Sequence, residues 1–348
     1  MYNHFKDSKN ILITGCGGGY DIFCGLDLMF NLIDKNKNVI LGNYTFTKND
    51  ILFETGQKIT DHCVKVTHYD QFDNDKYAKE IVDDVNKLPS DFYKYVKMSK
   101  DEYIQSLINS NMPIGKHNCF FPEYKLVKSL HSMYGLSIPI YCFADPEIKY
   151  LLDAYNKIIE LENIDTIVLV DGGTDSLMKG CEKDINGKKL LGTPYEDISS
   201  IIAVHNSNAK YKFMYCLGFN IDKYHDVTDE NFLMNTCEII RNNGFIGSYM
   251  LNKNNLMTKM YMNTFMNCDP ENSIVNSQVI SSINGHYGNY TPDWLKHRLG
   301  NSIQDVHPFM SLYWIYHLDA IYNNLSYDTE KLKDSTNEYE ILQLLNLE

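Results

Sequence analysis

The sequence predicts an α/β fold with a mostly parallel sheet flanked by helices, and three observations predict it. Two apolar runs, Ile11-Leu12-Ile13-Thr14 and Ile167-Val168-Leu169-Val170, have the length and β-branched content of strands buried on both faces. Each run ends in a glycine-bearing turn, Gly15-Cys16-Gly17-Gly18-Gly19-Tyr20-Asp21 after the first and Asp171-Gly172-Gly173-Thr174-Asp175-Ser176 after the second. Helical spacing of Ile22, Leu26, Met29, Phe30 and Ile33 follows the first turn, and the extended run Asn38–Phe46 comes next. This is a βαβ unit, and it makes the fold Rossmann-like.

Residues 70–111 are polar and charged with scattered apolar positions, which predicts a helical insertion or cap over the sheet. Ser137–Ala144 reads as another buried strand, and Pro146–Glu162 as the helix after it. Beyond the second glycine turn, Asn186-Gly187 is a strong turn pair. A helix then starts at Gly192-Thr193-Pro194-Tyr195-Glu196-Asp197, with Thr193 as N-cap, Pro194 in the first helical position and Glu196 completing a capping box. Tyr211–Phe219 reads as a strand and Glu230–Asn242 as a helix, while residues 253–348 read as a mainly helical C-terminal extension with an aromatic stretch at Phe309–Tyr322. No repeat or linker divides the 348 residues, so one α/β domain is expected.

Composition narrows the function. A net charge of −13 argues against a general nucleic-acid binder, which needs a basic face for phosphates, and leaves room for a local basic pocket. No apolar run reaches the ~20 residues of a membrane span, and the polar Met1–Asn10 runs straight into the first strand. The expectation is a cytoplasmic protein without membrane partners. Nine scattered cysteines, none in a C-x-x-C pair, read as reduced core thiols.

In open α/β sheets ligands sit beyond the carboxyl ends of the strands, so both glycine turns are expected to line one crevice. Gly17, Gly18 and Gly19 would let backbone N–H groups approach an anion closely, and Asp21 would reach a ribose hydroxyl or a metal. Gly18→Val is accordingly expected to block a ligand while leaving the fold in place. The dinucleotide pattern G-x-G-x-x-G is only half met, and Gly42-Asn43 stands where an acid for the ribose would be. Asp171 and Asp175 would orient a sugar, a metal or a water, with Gly172, Gly173, Thr174, Ser176 and Thr193 binding beside them. Asp175 is the leading catalytic candidate, and Asp171, Glu196 and His205 are the next, with Asp197 at the same helix start as Glu196. The competing reading of these turns is structural: Asx turns and close packing of helix on strand.

Several chemistries find no motif. There is no G-x-x-x-x-G-K-[ST] phosphate loop, no H-E-x-x-H zinc pattern and no G-x-S-x-G nucleophile elbow. Cys16 lacks the C-x-x-x-x-x-R context of a phosphatase and reads as a small loop filler. No residue is assigned as a metal ligand.

Gly17-Gly18-Gly19-Tyr20-Asp21, Asp171-Gly172-Gly173-Thr174-Asp175-Ser176 with Glu182, and Gly192-Thr193-Pro194 with Glu196-Asp197 resemble, in order and spacing, the motifs of the family catalogued as domain of unknown function 1152. The resemblance spans residues 10–320. It implies a shared site and names no reaction. The expected function is an enzyme that binds a nucleotide or another small phosphorylated or anionic metabolite and performs hydrolysis or group transfer. A nucleotide or a divalent cation are the open choices of cofactor. The alternatives are a ligand-binding module or sensor using the same crevice, and a structural protein whose glycines serve packing.

Overall fold

The computed structural model describes residues 2–70, 99–102, 120–182, 195–225, 227–300 and 302–345. Their strands are β1 (Asn10–Gly15), β2 (Asn38–Tyr44), β3 (Gln57–Thr60), β4 (Cys63–Val66), β5 (Ile140–Phe143), β6 (Thr166–Asp171), β7 (Tyr211–Cys216), β8 (Phe245–Met250), β9 (Gly288–Asn289), β10 (Asp305–Val306) and β11 (Leu312–His317). Nine of them form one sheet in the order β3-β4-β5-β2-β1-β6-β7-β11-β8, and β9 and β10 pair separately. The central five, β5-β2-β1-β6-β7, are parallel, while the strands on both flanks are antiparallel. In sequence order the parallel core runs 3-2-1-4-5, so the winding reverses between β1 and β6, and ligands of such sheets bind beyond the carboxyl ends at this point.

The period of two along the strands sorts side chains into two layers. Ile11, Ile13, Val168 and Val170 face a core completed by α1 (Asp21–Cys24), α2 (Leu26–Asp34), α4 (Pro122–Tyr134), α8 (Leu256–Met266) and α9 (Ile274–Ile283), with α3 (Asn49–Thr55) packed at its margin. Leu12, Ile167 and Leu169 face the other core, completed by α5 (Ile148–Glu162), α6 (Tyr195–Asn206) and α7 (Asp229–Arg241) and by the short C-terminal helices. The helical run expected after the first turn is interrupted at Gly25. A Cβ there would stand 2.7 Å from Ile13 and 3.3 Å from Val170, so a bare glycine lets the chain lie directly on β1 and β6.

The C-terminal region is mainly helical, as expected, and adds one strand to the sheet. Leu312–His317 is that strand, and it enters the sheet antiparallel between β7 and β8. Its apolar and aromatic residues suit a buried strand as well as a helix, and long-range pairing with Phe213–Cys216 decides between them. Of the expected insertion at 70–111, residues 71–98 and 103–111 lie outside the described residues, as do Thr193 and the Asn186-Gly187 turn.

A buried polar link fixes the first glycine turn to α4. Asn43, at the end of β2, donates from Nδ2 to the Gly19 carbonyl (2.8 Å) and to Glu123 Oε1 (2.7 Å). Thr45 donates to Glu123 Oε2 (3.1 Å). Burial pushes the fully enclosed Glu123 carboxyl from 4.5 up to about 7, opposed by the Asn43 and Thr45 hydrogen bonds. A carboxyl raised in the folded state adds stability that is complete below about pH 4.5 and is lost as the pH rises through about 7. Glu123→Gln should therefore flatten the fall in melting temperature between pH 5 and pH 8. An unchanged slope would show that this carboxyl does not titrate in that range.

Candidate functional site

The two glycine turns meet at the crevice, and Asp21 joins them. The cause is direct parallel pairing of β1 with β6, which sets Gly15 opposite Val170 and leaves both turns on one edge of the sheet. Asp21 Oδ2 accepts the Gly17 N–H (2.8 Å), and its Oδ1 accepts the Gly172 N–H (3.3 Å). The Ser176 hydroxyl donates to Asp171 Oδ2, and the Leu217 N–H donates to the Asp171 carbonyl (3.0 Å), fixing this residue between β6 and β7. Asp222, in the turn after β7, accepts the Thr174 N–H at 2.8 Å. Asp197 enters from the first turn of α6 and lies against the Gly17 backbone.

The result is a concentration of carboxylates. Carboxylate oxygens of Asp21, Asp171 and Asp197 lie within 4.8 Å of one another, with Asp175 and Asp222 close enough to perturb them. Burial, and then the charge of Asp175, pushes the Asp171 and Asp197 carboxyls well above the usual carboxylate range. Burial and then Asp222 do the same to Asp175. Asp21 is pushed up to about 7 by burial, opposed by the Gly17 N–H, and Asp222 up to about 6 by burial, opposed by Thr174. Among the described residues no lysine, arginine or histidine forms an ion pair with Asp21, Asp171 or Asp197.

In the first glycine turn the Gly17 and Gly19 backbone donors are already engaged inside the chain. Gly17 N–H serves Asp21, and Gly19 N–H donates to the Tyr44 carbonyl (3.0 Å). Gly18 and Gly19 have φ of +96° and +59°, and a Cβ on either would stand 2.7 Å from Tyr44 or from Phe46. These two glycines are required by the turn itself, so the expectation that Gly18→Val spares the fold is corrected. Gly172 and Gly173 are needed for a different reason: a Cβ would meet Asp21 Oδ1 at 2.7 Å or Asp222 Oδ2 at 2.6 Å. Their bareness lets the carboxylates converge.

Of the other expected residues, Glu196 lies half-buried beside Asp197, with its carboxyl raised by burial. His205 is not brought to the crevice. It lies in the last turn of α6, eight residues and ~12 Å along the helix from Asp197, where its Nδ1 contacts Asp319 Oδ1 (2.8 Å) and its ring stacks on Tyr322. Burial first, opposed by Asp319, lowers its pKa. Cys16 is fully buried and its thiol is pushed well above its usual range by burial and by Asp197, so it fills the turn as an unreactive group. Asp222 is the acid that sequence reasoning missed. Its signal was its place three residues past the strand expected at 211–219, on the same edge of the sheet.

A cleft of about 630 Å³ opens beside Asp222, walled by Ile221, Ile274, Val275, Leu299 and Ile303. Its size is that of a small-molecule pocket. Among the described residues no helix is long and apolar enough to cross a membrane. Eight described cysteines are all free thiols.

The profile of a family described as protein of unknown function (DUF1152) matches residues 99–341. The matched segment holds Asp171, Asp175, Asp197 and Asp222, and it begins after the first glycine turn, short of the 10–320 span expected from the motifs. No curated protein and no solved structure matches the chain.

Proposed function

The chain belongs to the DUF1152 family, which brings no reaction with it, and from its site we propose that it is an enzyme acting on a nucleotide or another small phosphorylated metabolite by hydrolysis or group transfer. The observation that carries this reading is the convergence of five carboxylates at the point where the winding of the parallel sheet reverses. Turns with a purely structural role do not need three carboxylates within 4.8 Å, an arrangement that costs stability. Perturbed acids in a crevice are a mark of catalytic sites.

Asp175 is the proton-transfer group in this reading. It is half-buried beside the other acids, and its raised pKa lets it hold a proton and release it to a leaving group. Asp171, held by Ser176, and Asp21, held by Gly17 and Gly172, fix the polar floor. The cleft beside Asp222 supplies an apolar wall for the non-phosphate part of the substrate. Free, largely buried thiols agree with action in the cytoplasm.

The test is a thermal-shift and turnover screen of nucleotides, nicotinamide cofactors and sugar phosphates, each with and without a divalent cation. The expected result is a phosphorylated compound that raises the melting temperature and is consumed. A compound that binds without being consumed would make the chain a sensor. No response to any member of the panel would overturn the reading.

A further inference from the structure

We propose that Asp21, Asp171 and Asp197 form a binding site for one hard divalent cation, of the Mg²⁺, Mn²⁺ or Ca²⁺ class. The proposal rests on the placement of oxygens and does not depend on the reaction proposed above. Two oxygens bound to one ion lie at most twice the metal–oxygen distance apart, about 4.2 Å for Mg²⁺ and about 4.8 Å for Ca²⁺. The three carboxylates each offer an oxygen within 4.8 Å of the other two. All the donors are carboxylate oxygens, a set that selects hard cations over zinc or copper.

A second observation shows that the cluster is directed at something. Asp197 is only 3 % exposed, yet its Oδ1 has no hydrogen-bond partner among the described residues. A buried carboxylate oxygen without a donor is costly. This oxygen points into the space over Gly17. A Cβ built there would meet Asp197 Oδ2 at 2.8 Å, Asp197 Oδ1 at 3.1 Å and Asp21 Oδ2 at 3.1 Å. Glycine at position 17 thus keeps open a small space faced by oxygens from two of the three acids. Asp171 reaches the same group of oxygens from β6, anchored by Ser176. A divalent ion would supply the positive charge that no ion pair provides here among the described residues.

The experiment uses the full chain stripped of metal with EDTA and titrated with MnCl₂, with free Mn²⁺ followed by electron paramagnetic resonance. MgCl₂ and CaCl₂ are then tested as competitors. The expected result is one Mn²⁺ per chain, displaced by at least one competitor, with a matching rise in melting temperature. Asp197→Asn should weaken Mn²⁺ binding at least tenfold while the metal-free variant melts no lower than wild type. Gly17→Ala keeps every carboxylate and fills the space over them, so it should weaken binding as well. It serves as the test if Asp197→Asn does not fold. No bound Mn²⁺ up to ~10 mM, beyond the weakest natural Ca²⁺ sites, would overturn the proposal. So would binding left unchanged in a folded Asp197→Asn or Gly17→Ala protein.

Discussion

Asp175→Asn is expected to reduce turnover of the substrate found by screening by ~10²-fold or more, the usual effect of removing a group that transfers a proton. Its stability should move the other way. The Asp175 carboxyl is raised by burial and then by Asp222, so the stability it contributes is present at low pH and is lost as the pH rises from about 4 toward its native value. Asparagine removes that loss. In metal-free buffer at pH 8 the variant should melt at or above the wild-type temperature, and the difference should narrow as the pH falls toward 4. A residue that costs stability and supplies activity is the signature of a functional site. Full turnover in Asp175→Asn would remove this carboxyl from the chemistry, and unfolding would make it a structural part of the turn.

Gly18→Val is expected to damage the protein before any ligand is added. The backbone at position 18 has a φ of +96°, which a β-branched residue adopts only under strain. Its Cβ would also stand 2.7 Å from both the Tyr44 ring and the Tyr44 carbonyl oxygen, the latter fixed in place as acceptor of the Gly19 N–H. Strain and overlap each cost about 1–3 kcal/mol, so a loss of ~2 kcal/mol or more is expected in denaturant melts. A variant as stable as wild type would show that the turn can rearrange. Gly17→Ala is the informative contrast, since its φ is not positive and the three atoms nearest its Cβ would be carboxylate oxygens.

The centre of the parallel core was legible because β1 and β6 are short apolar runs that end in glycine and in aspartate. Ile11–Thr14 and Ile167–Val170 fall within β1 and β6, and the rule that crevices open beyond carboxyl ends brought Asp21 and Asp171 together across about 150 residues of sequence. Three features were not legible. Leu312–His317 carries no local mark that separates a strand from a helix, and only its partners Phe213–Cys216 decide. The glycines of the first turn have the same appearance whether they cradle a ligand or pack against Tyr44 and Phe46. His205 was attractive as a histidine on a helix that starts at the site, but ten residues of helix carry its side chain to the far end. Asp197 and Asp222 gained their weight from convergence in space, which sequence spacing does not record.

The central claim is that the acids at the ends of β1, β6 and β7 and at the start of α6 are one active site for a phosphorylated metabolite. Its most direct test is a crystal structure of Asp175→Asn with the best compound from the screen and a divalent cation, the variant being chosen to slow turnover. The expected result is the cation among Asp21, Asp171 and Asp197, the phosphoryl group bound to it on the side of residue 175, and the rest of the molecule in the cleft walled by Ile221 and Val275. A ligand seated elsewhere on the protein, with none in this crevice, would contradict it.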